Sequence, residues 1–259
     1  NNLGNIFKDL GHRNSALKSF NSAITSKPDF SEAYLNHGIT SIELGQLDAA
    51  IKSFEKAIEI KLDYAEAFNN LGVAFKEQGK LDKAIKSYER AIAIKPKYAE
   101  AQNNLGVTLM QLGQYVRAIE CYDKAITIRP DYAFAHNNLG AVYRELGQLS
   151  NSAESYEKAI LNEPEYAEAH NNLGNVYRDL KRREDALVCY ERAKAIKPDI
   201  DFILGNIVHT KLQLCIWDDI QSQIDELISK INNNEKAIVP FPMLALIDKP
   251  ELHIKSTEI

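Results

Sequence analysis

The sequence predicts an all-α fold, an α-α superhelix built as a solenoid of antiparallel helix pairs. Three registers that share one stride of 34 residues predict it. Glycine recurs at Gly4, Gly38, Gly72, Gly106, Gly140 and Gly174. An aromatic keeps step at Phe20, Phe54, Tyr88, Tyr122, Tyr156 and Tyr190, and alanine at Ala23, Ala57, Ala91, Ala125, Ala159 and Ala193. A repeat of this length is one supersecondary unit that cannot bury its apolar face alone, so copies stack and share a continuous core.

Within residues 65–98, Phe68, Leu71, Gly72 and Phe75 fall at helical spacing and predict a first helix. Gly79 supplies the turn that ends it. Leu81, Ala84, Ile85, Tyr88, Ala91 and Ile92 repeat the helical pattern, and Pro96 stops the second helix. The small residues Gly72, Ala84 and Ala91 let helix backbones approach, and the large ones fill the gaps. The same elements follow in order in a first, incomplete unit ending at Phe30, then in 31–64, 65–98, 99–132, 133–166 and 167–200. The register decays over 201–234, where Asn206-Ile207-Val208-His209 opens a degenerate seventh unit and Asp218 or Asp219 can cap its second helix. This pair reads as a cap on the solenoid. Residues 235–259 read as a linker broken by Pro240 and Pro242, followed by a helix start at Asp248-Lys249-Pro250-Glu251 that belongs to a further, missing C-terminal domain.

Composition narrows the function classes. The chain of 259 residues is 45% hydrophobic and 26% charged, as soluble proteins are. Its net charge of -5, with Lys and Arg spread through every repeat, leaves no basic footprint for nucleic acid. Three cysteines, Cys121, Cys189 and Cys215, form no disulfide framework and no CxxC pair, which fits reduced thiols in the cytoplasm. No apolar run is long enough to span a membrane. The chain begins inside a repeat and without Met, which leaves an upstream targeting signal open. No phosphate-binding glycine loop, metal-ligand spacing or catalytic arrangement is legible, so neither cofactor nor catalytic residue is assigned. His136 and His170 share a packing slot with Tyr34 and Phe68, and Cys121 and Cys189 read as small apolar fillers.

The stride, with its small residues, second-helix aromatic and closing proline, resembles the tetratricopeptide repeat. Leu62 departs from it where proline is usual, Ser152 where alanine is usual, and Lys181 where the turn glycine is usual. The resemblance implies that first helices line a concave groove that takes polypeptide. On it the candidate binding residues are Asn36, Asn70, Asn104, Asn138 and Asn172, each immediately before the packing residue. Asparagine is a poor helix former, so its recurrence in mid-helix has a local cost. An amide is both donor and acceptor, so a ladder of amides can hold an extended backbone without reading side chains. The alternative is that these amides bond neighbouring helices or water. Asn1, Asn69, Asn103, Asn137 and Asn171, one residue earlier, fall towards helix–helix edges.

One turn before the ladder stand Glu32, Glu66, Glu100 and Glu168, with Phe134 interrupting the series. Glu66 and Glu100 are therefore candidate groove residues favouring neutral or basic clients. The equal alternative is a solvated acidic face balanced by Lys76, Arg144 and Arg178. Chaperone-binding tetratricopeptide proteins carry a lysine clamp at this position, and the reversed sign here argues against that class.

The tail resembles the junction of protein O-linked N-acetylglucosamine transferases and their SPINDLY-like relatives. The residues that carry the resemblance are Cys215-Ile216-Trp217-Asp218, Pro240-Phe241, Leu244-Ala245-Leu246 and Pro250-Glu251-Leu252, in that order; Ile216 and Thr257 depart from it. It implies that the repeats are the substrate-recruiting arm of a glycosyltransferase, with a UDP-sugar bound only by a catalytic domain outside this sequence. The alternative is a stand-alone scaffold without enzymatic activity.

Overall fold

The computed structural model describes residues 1–238 and Lys255. Among these residues every regular element is an α-helix, fourteen in all. The chain divides into two compact units, Asn1–Pro130 and Asp131–Ile259. The first unit holds four helix pairs: α1 (Asn2–Asp9) with α2 (Arg13–Ser26), α3 (Ser31–Glu43) with α4 (Leu47–Ile60), α5 (Ala65–Glu77) with α6 (Leu81–Ile94), and α7 (Ala99–Gln111) with α8 (Tyr115–Ile128). The second holds three: α9 (Ala133–Glu145) with α10 (Leu149–Asn162), α11 (Ala167–Asp179) with α12 (Arg183–Ile196), and α13 (Ile203–Gln213) with α14 (Ile220–Asn232).

The three registers of the sequence turn out to be one contact. In the first six pairs the second-helix aromatic packs its ring against the first-helix glycine. A Cβ at Gly38 would sit 2.4 Å from Phe54 Cε1, and one at Gly174 would sit 2.6 Å from Tyr190 Cε1. Only glycine leaves room for the ring, and Phe20, Phe54, Tyr88, Tyr122 and Tyr190 are all fully buried as a result. The alanine of the third register, Ala57, Ala91, Ala125, Ala159 or Ala193, is fully buried beside it. Ser152, where alanine is usual, is also buried, and its hydroxyl donates to the Gly140 carbonyl at 2.7 Å, so the polar atom is satisfied.

The turn between the helices of a pair needs a left-handed residue. Gly11, Gly45, Gly79, Gly113 and Gly147 provide it with φ between 70° and 76°. Lys181 holds the same conformation at φ 65°, where its Cβ is crowded. Lys181→Gly is expected to stabilise the second unit by about 1 kcal/mol, the lower end of the cost of this conformation for an L-residue. A shift of the urea midpoint upward checks it; a downward shift shows that unfolded-state entropy outweighs the relieved strain.

The last pair is covered by its own chain. Residues 235–238 return across the start of α13, where the Lys236 and Ala237 carbonyls accept from the Phe202 and Gly205 N–H groups at 2.6 and 3.0 Å. Gly205 makes the approach possible, because a Cβ there would meet the Ala237 oxygen at 2.8 Å. Leu204, Val208, Ile220, Leu227, Ile231, Ala237 and Ile238 form a separate apolar cluster beneath this strap. Asp219 occupies the N-cap position of α14, but with φ 59° its side chain makes no capping bond. The proline-broken segment and the helix start expected at Asp248–Glu251 lie outside the described residues.

Candidate functional site

The first helices of neighbouring pairs touch one another: α3 with α5 and α5 with α7 in the first unit, and α9 with α11 in the second. They form the inner row of each unit. On that row Asn36, Asn70, Asn104, Asn138 and Asn172 are half-buried. One residue earlier, Asn69, Asn103 and Asn137 are buried.

The two asparagine registers are joined in a repeating clasp. Asn36 Nδ2 donates to Asn1 Oδ1 at 3.1 Å, Asn104 Nδ2 to Asn69 Oδ1 at 3.1 Å, and, in the second unit, Asn172 Nδ2 to Asn137 Oδ1 at 3.2 Å. The companion amide then donates onward: Asn1 Nδ2 to Glu32 Oε1 at 2.9 Å and Asn69 Nδ2 to Glu100 Oε1 at 3.4 Å. One N–H of each clasped ladder amide is thus spent on its neighbour. The Oδ1 atoms of Asn36, Asn104 and Asn172 accept no bond from the described residues. Asn70 differs because Leu35 stands where the preceding repeat should offer an amide oxygen. Its Nδ2 turns back to the Glu66 carbonyl of its own helix at 2.8 Å.

The glutamates meet partners other than Lys76, Arg144 and Arg178. Arg144 pairs with Asp179 at 3.0 Å, and Arg178 reaches Asp179 and the Asn206 amide. The counter-charges are instead the lysines that end the second helices: Lys95 to Glu66 at 3.1 Å and Lys197 to Glu168 at 3.0 Å. The loop after each second helix folds back beside the start of its own first helix, which brings these charges together. The Lys197 ammonium holds the Glu168 carboxyl below the usual range. Both pairs are half-exposed, so each contributes at most about 1 kcal/mol. A lysine at this position also covers an aromatic ring in two repeats of the first unit, Lys61 over Tyr64 and Lys95 over Tyr98, each 4.5 Å from the ring centre.

Sequence reasoning passed over what Phe134 does. It is half-exposed, and its ring lies 5.1 Å from that of Tyr166 and 6.1 Å from that of Tyr132. The interruption of the glutamate series was the available signal. His136 and Cys121 are buried, as is Cys189, and burial pushes both thiols up to about 11. His170 is half-buried and its Nε2 sits 2.9 Å from the Pro164 carbonyl. Among the described residues no group of His, Cys, Asp and Glu could hold a metal ion, and no helix is long and apolar enough to cross a membrane.

Stacked helix pairs with a glycine–aromatic lock and an amide-lined inner row define a helical-repeat protein. Four tetratricopeptide repeat models match the sequence: one at residues 41–79, 74–113 and 140–181, a second at 99–132 and 167–200, a third at 121–154 and a fourth at 1–30. The chain belongs to the tetratricopeptide repeat family. No curated protein matches the sequence. Among solved structures it is similar to MamA, with 28% identity over 64% of this chain and 96% of that one, at a TM-score of 0.57. It is also similar in fold to Pseudomonas aeruginosa pilF, at 19% identity over 88% and 97% of the two chains and a TM-score of 0.72. YrrB, described as a TPR protein with an unusual peptide-binding site, is 22% identical over 76% and 99%, with a TM-score of 0.56.

Proposed function

We propose that the chain binds extended polypeptide along its inner row of helices, through the amides of Asn36, Asn70 and Asn104 in the first unit and Asn138 and Asn172 in the second. The observation that carries this reading is the half-buried amide edge. Asn36, Asn70, Asn104 and Asn172 each present an Oδ1 that no described residue uses, repeated at the spacing of the helix pairs. Such oxygens accept from a peptide N–H without regard to side chain. Glu66 and Glu100 border this edge; Glu66 is already paired with Lys95, so it is Glu100 that favours neutral or basic clients. The peptide-binding site named for YrrB is consistent with this use of the fold.

Asn70 is the clean probe, because its amide takes no part in a clasp between repeats. Asn70→Ala is expected to weaken an unstructured, fluorescein-labelled peptide by roughly two- to tenfold, the worth of one hydrogen bond, while the melting temperature stays put. Unchanged affinity in the combined Asn70→Ala, Asn104→Ala and Asn138→Ala variant sinks the ladder.

The finer reading is that these repeats recruit substrate for a protein O-linked N-acetylglucosamine transferase. The ordered motifs from Cys215-Ile216-Trp217-Asp218 to Pro250-Glu251-Leu252 support it. A coding region that runs on past Ile259 into a long α/β-patterned domain is the expected finding. A stop codon directly after Ile259 favours a stand-alone scaffold.

A further inference from the structure

We infer that the inner row of the second unit carries a subsite for a basic side chain, lysine or arginine, of a bound polypeptide, built from the rings of Phe134 and Tyr166 and the Glu163 carboxylate. The inference rests on the peptide-binding reading and adds a side-chain preference that the amide ladder lacks.

Comparison of the repeats with one another carries the argument. In two repeats the lysine that ends the second helix pairs with the glutamate in the first turn of the first helix, as Lys95 does with Glu66 and Lys197 with Glu168. In three repeats that lysine also covers the ring three residues later: Lys27 over Phe30 at 5.5 Å, Lys61 over Tyr64 at 4.5 Å and Lys95 over Tyr98 at 4.5 Å. The repeat at 133–166 changes both partners together. Phe134 replaces the glutamate and Glu163 replaces the lysine. Together the two changes remove the ion pair, take away the cation that covers the Tyr166 ring and leave a carboxylate in its place.

What remains is an aromatic surface beside unmatched negative charge. Phe134 is 50% exposed and tilts against Tyr166, with Tyr132 edge-on to it. It lies one turn before Asn138 on the same helix face. Of the neighbouring carboxylates, Glu165 pairs with Arg192 and Glu168 with Lys197. Glu163 has no ion-pair partner among the described residues. Its charge reaches the rings: the Tyr166 hydroxyl is pushed up to about 12, by burial first and then by Glu168 and Glu163. A ligand cation over such rings restores the contact that Lys95 makes with Tyr98, and the adjacent carboxylate favours a cation over a neutral aromatic and repels an acidic residue.

The test uses three labelled, unstructured peptides identical but for a central Arg, Gln or Leu, and fluorescence anisotropy. The Arg peptide is expected to bind about fivefold more tightly than the Gln peptide, the range of an exposed to partly desolvated cation–aromatic contact. In the Phe134→Glu/Glu163→Lys variant, which restores the pattern of the neighbouring repeats and so keeps the fold, that preference should vanish with the Gln peptide unchanged. Asn172→Ala, in the same unit, should weaken both peptides equally. Equal binding of Arg and Gln peptides overturns the subsite but leaves the groove reading standing. Tighter binding of the Leu peptide than the Arg peptide also overturns it and makes the surface apolar. No binding of any peptide overturns the groove reading and the subsite with it.

Discussion

Above pH 10 the protein is expected to lose stability progressively, because buried tyrosines hold protons that the unfolded chain gives up. Tyr88, Tyr122, Tyr156 and Tyr190 are buried against the first-helix glycines, and burial raises each hydroxyl above its ordinary value of 10.0, in Tyr190 to about 12. A folded-state pKa above the unfolded one means that the unfolded chain gives up its proton first. The stability these groups contribute is therefore complete below pH 10 and falls as pH rises towards the folded value. For Tyr190 alone the loss by pH 12 is roughly 2–3 kcal/mol. Tyr156 in the same unit, and Tyr88 and Tyr122 in the first, act in the same direction, against the ~5–15 kcal/mol that holds a typical domain together. Cys121 and Cys189, pushed up by burial to about 11, act in the same direction from a lower starting point. Far-ultraviolet circular dichroism against pH gives the midpoint. Replacing Tyr88, Tyr122 and Tyr156 by Phe should move it upward, since Phe20 and Phe54 already fill this slot. An unmoved midpoint would show that other groups govern the alkaline transition. Tyr190 is left in place because its hydroxyl donates to Asn175 Oδ1 at 3.0 Å, and losing that bond would confuse the result.

Phe54→Ala is expected to cost about 3–5 kcal/mol, as the loss of a fully buried aromatic does. Gly38→Ala acts on the other side of the same contact. Its methyl would sit 2.4 Å from Phe54 Cε1, so either the ring or the helix must shift. Overpacking of this kind costs about 1–3 kcal/mol, against a gain of about 1 kcal/mol in helix propensity on replacing glycine. The net change is a smaller loss than that of Phe54→Ala. In the double variant the methyl of residue 38 occupies part of the space the ring has left, and the overpacking term disappears. The double variant should therefore be clearly more stable than the sum of the two singles requires. Urea unfolding of the four proteins measures the coupling. Strict additivity would mean that the glycine is there for some reason other than the ring.

The two registers of the glycine–aromatic lock, Gly38 with Gly72 and Phe54 with Tyr88, were legible because they share one stride; that each ring meets a glycine is a property of the folded pair. The exceptions were legible as letters only. Lys181 breaks the glycine series at the turn, yet its left-handed φ of 65° is a property of the folded backbone. Phe134 breaks the glutamate series, but its link to the change at Glu163 appears only when the loop after the second helix folds back on the first.

The candidate site was half readable. Periodicity marks Asn70 and Asn104 as equivalent, one before each packing leucine, and places both on the first helix. It does not say that Asn104 is clasped by Asn69 while Asn70, facing Leu35, bonds its own helix. The sequence by itself determined the period, the helix pairs, the turns and which face of each helix is apolar, because these depend on local spacing and side-chain size. Tertiary structure alone decided which amides, carboxylates and rings find partners within the described residues. A polar group is satisfied by whatever lies within about 3 Å of it, and that neighbour sits one repeat away in the chain, at a distance set by packing.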